Sequence, residues 1–89
     1  MAHRTQEELA ATLANAASMV EVGGRYTHFK DPTKEYEVIG LGIQEADEGV
    51  SVIYKGLYGE GITFIRPLES WCATVEHEGK STLRFLKVS

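Results

Sequence analysis

From Gly24 onward, short alternations of apolar and polar residues are separated by turn residues about every ten positions. This spacing constrains the fold more than any other feature of the chain. Parallel neighbours need crossovers of a dozen or more residues, so strands joined this closely must pair mainly antiparallel. Strands are expected near 25–30, 35–45, 50–57, 62–66, 72–77 and 81–88. Asp31-Pro32-Thr33-Lys34 carries turn chemistry, with proline supplying the fixed φ of a turn's second position. Ala46-Asp47-Glu48-Gly49 and Glu78-Gly79 read as hairpin turns, and Tyr58-Gly59-Glu60-Gly61 as a looser connection. In the second strand, Tyr36 and Val38 share one face while Ile39, Leu41 and Ile43 share the other. Gly40 and Gly42 stand where large residues would continue the first face, which predicts a bend or bulge partway along. The expected class is mainly β with an N-terminal helix: a small antiparallel SH3-like barrel of about five strands.

The helix is expected over residues 1–22, with the barrel over 23–89 and both in one compact domain. Thr5 suits an N-cap, and Glu8 three residues later completes a capping box. Leu9, Leu13, Ala16 and Val20 recur at helical spacing as one apolar stripe. Gly23-Gly24 then offers a helix stop. Ala10, Ala11, Ala14 and Ala17 make the rest of the helix nearly as apolar, and short side chains let a second backbone approach closely. A chain of 89 residues buries only about 60–65% of its unfolded surface, so its core is thin. A homo-oligomer joined through Leu9, Leu13, Ala10, Ala14 and Ala17 is therefore one structural expectation.

Charge and cysteine content narrow the function classes. The net charge of −4 argues against a protein held by phosphate backbones, which leaves nucleic acid as the weakest partner. Cys72 is the single cysteine, so no intrachain disulfide can form, and a reducing compartment is expected. The first residues lack an apolar signal core, and no run approaches the roughly 18 apolar residues of a membrane span. A soluble cytoplasmic protein with no membrane association follows as the expectation.

Motifs in the second two-thirds resemble a bacterial domain-of-unknown-function family, number 1653. That family carries a pattern like G-x-Y-x-H-[YF]-K, then Y-x-V, V-x-Y-x-x-L-Y-G, R-P-L and G-K-x-x-x-R-F. Here these are Gly24 through Lys30, Tyr36-Glu37-Val38, Val52-Ile53-Tyr54 with Leu57-Tyr58-Gly59, Arg66-Pro67-Leu68, and Gly79-Lys80 with Arg84-Phe85. The match spans about Val22 to Val88. Between Leu41 and Val50 the family shows an Ala, a His and acidic residues, whereas this chain has Gly42, Gln44 and Ala46. Phe64 and Trp71 likewise stand where the family tends to have Trp and Phe. The resemblance implies a compact β-rich domain and no particular activity.

Catalytic and metal chemistry find little support. No C-x-x-C or H-x-x-x-H pairing occurs among Cys72, His3, His28 and His77, so no metal site and no cofactor are expected. Neither a G-x-S-x-G elbow nor a phosphate loop followed by a helix is present. Cys72, next to Trp71, reads as a small buried side chain. Enzymatic activity is not expected. The remaining signal is a set of aromatic and basic residues distributed over the strands. Phe29, Phe64 and Phe85 are expected in the core. Tyr26, His28, Tyr54, Tyr58, Arg66 and Trp71 are the expected ligand-binding patch. Arg84, by parity, points away from the side that Leu83 and Phe85 cover. A non-enzymatic module taking a small anionic, planar or peptide ligand is the leading functional expectation. The bland counterpart is a barrel whose arginines pair with Glu35, Glu37 or Glu69.

Overall fold

A computed structural model describes residues 4–89, so His3 lies outside the described residues. Helix α1 spans Gln6–Ala17, and the strands are β1 (Arg25–His28), β2 (Asp31–Gln44), β3 (Gly49–Gly56) and β4 (Thr63–Pro67). A single helical turn, α2 (Leu68–Trp71), precedes β5 (Thr74–His77), β6 (Lys80–Leu83) and β7 (Phe85–Lys87). All pairings are antiparallel. Five strands form one sheet in the order β4-β3-β2-β1-β7, and β5 and β6 form a separate hairpin. Strands β4 and β7 end the sheet without pairing to each other, so the expected barrel does not close by hydrogen bonding.

Thr5 caps α1 as the sequence requires. Its hydroxyl accepts from Glu8 N–H at 3.1 Å, and the Glu8 carboxylate accepts from Thr5 N–H at 2.8 Å. These bonds hold the Glu8 carboxyl below its ordinary pKa. The helix stops at Ala17 rather than at the glycine pair. Ser18 is its C-cap, with its N–H shared between the Asn15 and Ala16 carbonyls. Val20 then reaches the core from the following turn, where it and Ala16 are fully buried. Gly23, at φ 88°, instead turns the chain so that its N–H donates to the Val38 carbonyl at 2.7 Å. The stripe ahead of Ala16 is half covered: Leu9 and Leu13 are partly buried, while Ala10, Ala14 and Ala17 are exposed. Helix α1 packs on β2 and β3, so its leucine side faces its own sheet.

The turn expected at Asp31–Lys34 lies elsewhere. Phe29 and Lys30 make the reversal, and β2 already begins at Asp31, opposite His28. Asp31 still acts locally, accepting from Thr33 N–H at 3.0 Å, and its pKa is lowered chiefly by its bonds to Thr33.

The expected irregularity in β2 is present, and it reverses the facing of that strand's second half. Val38 pairs with Tyr54 and Gly40 with Ile53, leaving Ile39 as the extra residue of a bulge. Leu41 therefore lies opposite Val52, on the same side as Val38 opposite Tyr54. The inserted residue moves Leu41 to the core face beside Tyr36 and Val38, and Ile39 is left largely exposed. The core itself comprises Val20, Tyr26, Val38, Val52, Tyr54, Trp71 and Phe85, with Tyr36, Leu41, Leu68 and Cys72 packed against it.

Candidate functional site

The expected patch divides between interior and surface. Tyr26, Tyr54 and Trp71 are core residues, Trp71 being only 3% exposed. Trp71 stacks on Phe85 with ring centroids 3.8 Å apart and planes 5° from parallel. Tyr26 and Tyr54 meet Trp71 edge-on at 5.2 and 4.8 Å. Their hydroxyls are occupied internally, since Tyr26 Oη accepts from Glu21 N–H at 3.0 Å and Tyr54 Oη accepts from Arg66 Nε at 3.4 Å. Four large rings thus form one packed unit, in which aromatic burial and edge-to-face geometry favour a fixed arrangement.

Of the other expected residues, Tyr58 is exposed, while His28 and Arg66 are half-buried. Phe85 is buried as expected, but Phe64 is 37% exposed and Phe29 only partly covered. Phe64 lies on edge strand β4, which leaves one side of its ring without a neighbouring strand.

Two guanidinium groups converge on Ser70, in the single turn of α2. Arg66 Nη1 donates to Ser70 Oγ at 2.9 Å, and Arg84 Nε donates to the Ser70 carbonyl at 3.0 Å. Arg66 also lies over the Phe85 ring, with Cζ 5.3 Å from its centroid. Arg84 comes here because the segment expected as one strand over 81–88 is broken. Strand β6 pairs with β5, β7 pairs with β1, and Arg84 is the residue between them. Its N–H donates to the Ala73 carbonyl and its own carbonyl accepts from Phe29 N–H. The break invalidates the parity argument that turned Arg84 away.

His28 completes the group. Its ring lies 5.1 Å from that of Phe85 and 4.7 Å from that of Phe29, and Nδ1 accepts from Lys30 N–H at 3.2 Å. Its pKa is lowered from 6.5 by burial first, then by the positive charges of Arg66, Arg84 and Lys30. Asp31, its partner across β1 and β2, forms an ion pair with Lys34. Among the described residues, neither Arg66 nor Arg84 forms an ion pair, whereas Arg25 pairs with Glu35 and Lys87 with Glu21. The expectation that the arginines neutralise Glu35, Glu37 or Glu69 therefore holds for Arg25 alone.

Rings border the cationic group. Tyr36 lies 6.2 Å from Phe85, 5.5 Å from Tyr58 and 6.4 Å from Phe64. Tyr36 and Tyr58 share a hydroxyl hydrogen bond of 3.0 Å, and burial followed by this bond pushes the Tyr36 pKa up to about 12. Ser70, Arg84, Tyr36 and Phe64 were not singled out as site residues by sequence. Arg84 and Tyr36 belong to the family-like motifs, which was the available signal, but nothing in the sequence distinguished Ser70.

The His28 shift has a measurable consequence. A lowered folded pKa means that the unfolded chain binds more protons just below pH 6.5. Stability is therefore expected to be fully present above pH 6.5 and to fall as the pH drops through the folded value. Urea denaturation of the parent and His28→Gln between pH 7.5 and 5 checks this. The variant should lose that limb of the profile; the same slope in both would assign it to another group.

Cys72 is half-buried, and burial raises its thiol pKa, which disfavours the nucleophilic thiolate. Among the described residues, no group of three His, Cys, Asp or Glu side chains is arranged to hold a metal ion. No helix among them is long and apolar enough to cross a membrane.

These features define a small antiparallel β domain with a cationic cluster seated on an aromatic core. The chain belongs to the DUF1653 family, described as proteins of unknown function, whose model matches residues 24–87. That span includes both sheets up to Lys87 and omits α1. The crystal structure of a DUF1653 protein from Bordetella bronchiseptica is similar, with a TM-score of 0.65 and 29% identity over 74% of this chain and 85% of that one. No curated protein matches the chain.

Proposed function

We propose that this protein is a small non-enzymatic binding module whose site is the Arg66–Arg84–His28 cluster, taking an anionic ligand. The convergence of two guanidinium groups on Ser70 without a carboxylate carries the reading. Two like charges bonded to one residue repel, and partial burial strengthens that repulsion relative to water. A bound anion would offset the repulsion and use donors that the protein leaves uncommitted. Phe64, Tyr36 and Tyr58 offer adjoining surfaces for a planar or peptide portion of the ligand, so Tyr58 remains in the proposed site. Tyr26, Tyr54 and Trp71 support it from below. Nucleic acid is the weakest occupant, given the net charge of −4.

Nuclear magnetic resonance titration with a panel of small anions tests the proposal. The side-chain Nε–H resonances of Arg66 and Arg84 should shift together and saturably in the parent. Failure of every anion to move them would remove the site.

The strand order also supports reading the sheet as a partly open SH3-like barrel, because the first strand pairs with the last. A homo-oligomer assembled through α1 is the second reading. It is supported by Ala10, Ala11, Ala14 and Ala17, which stand exposed on the helix.

A further inference from the structure

We infer that the cluster accepts a dianionic phosphoryl group, as in a phosphate monoester or free phosphate, in preference to a carboxylate. The inference rests on reading the cluster as an anion site and specifies which anion. Arg66 and Arg84 supply two fixed positive charges, with no acidic partner among the described residues. A carboxylate would neutralise one of them and leave the other facing a half-filled site. A phosphoryl dianion matches both charges and presents three terminal oxygens.

The donor inventory agrees. Arg66 commits Nε to Tyr54 and one Nη1 proton to Ser70, and Arg84 commits only Nε. Most guanidinium N–H donors are thus free for oxygen acceptors. The Ser70 hydroxyl accepts from Arg66 and retains its own proton to donate. His28 contributes without adding a third charge. Its Nδ1 accepts from Lys30 N–H, so the neutral ring carries its proton on Nε2, and burial, then the surrounding cations, favour that neutral form. Donors therefore come from β1, β4, α2 and the β6–β7 break, an arrangement suited to an acceptor with several oxygens rather than a flat carboxylate.

The test is titration of the full chain at pH 7.5 and constant ionic strength with inorganic phosphate, phenyl phosphate, acetate and benzoate. Phosphate or phenyl phosphate should bind at least about tenfold tighter than either carboxylate, the worth of one charge-assisted hydrogen bond. Tighter phenyl phosphate binding would identify a monoester as the source, with its ring on the Phe64–Tyr36 surface; equal binding would identify free phosphate. Arg84→Gln should weaken the phosphoryl probe about tenfold while keeping a cooperative urea transition. Arg84→Lys, which keeps the charge, should weaken it less and guards against a folding defect in the first variant. Carboxylates binding as tightly as phosphates would overturn this inference and leave the anion site standing. No binding by any probe would overturn both, and unaltered affinity in both Arg84 variants would place the anion elsewhere.

Discussion

Phe85→Ala is expected to cost about 3–5 kcal/mol, the range for removing a large buried ring. Native proteins have about 5–15 kcal/mol of stability in total, so the variant should lose a large share of it and unfold at a clearly lower urea concentration. Phe85 stacks on Trp71 and meets Tyr36, Tyr54 and His28 edge-on, so its removal strips several neighbours of a packing surface at once. It also removes the ring beneath the Arg66 guanidinium. Phe64→Ala is the matched control. Phe64 is 37% exposed on the edge strand, and its loss should cost a fraction as much. Urea denaturation of both variants gives the comparison. Equal losses would show that the stacked unit is not the centre of the core.

Deletion of residues 1–22 is expected to abolish cooperative unfolding. The deletion uncovers the part of the β2–β3 surface on which α1 packs and removes Val20, one of three largest fully buried side chains. It also removes Ala16, which is fully buried. Val20 alone is a branched side chain whose complete burial is worth roughly 1.5–3 kcal/mol. A sharp thermal transition in the truncated chain would refute the prediction and show that the β region is self-sufficient. The same packing makes truncation unsuitable for testing the oligomer reading, because association and folding would be lost together. Ala14→Glu is the cleaner probe: Ala14 is exposed, so a charge there should leave the fold intact. Sedimentation showing a monomer in both parent and variant would end the proposal of an interface on α1.

Much of the secondary structure was legible because it rests on local chemistry. The capping box of Thr5 and Glu8 needs only residues three apart. The hairpin turn at Glu78-Gly79 needs two neighbours able to hold positive φ, and they stand at 55° and 78°. The irregularity in β2 was also legible from its glycines, although its effect on facing was not. Ile39 as an extra residue restores Leu41 to the core face, a result fixed by pairing with β3 rather than by β2 itself.

The candidate site was legible only in part, for a related reason. Tyr26, Tyr54 and Trp71 were expected in a ligand-binding patch at the surface. The fold instead satisfies the two tyrosine hydroxyls from within, through Glu21 N–H and Arg66 Nε, so those rings can be buried. Strand parity could not place Arg84, because parity assumes a continuous strand and the strand changes partners at that residue.

The sequence by itself determined an antiparallel, mainly β chain with a capped helix, because short connections and glycine turns exclude crossovers. It also supplied the family motifs that contain both Arg66 and Arg84. Tertiary structure alone decided which rings became core and which polar groups met. Burial depends on what the neighbouring strands cover, and the bonding of both Arg66 and Arg84 to Ser70 depends on where α2 and the β6–β7 break place that residue.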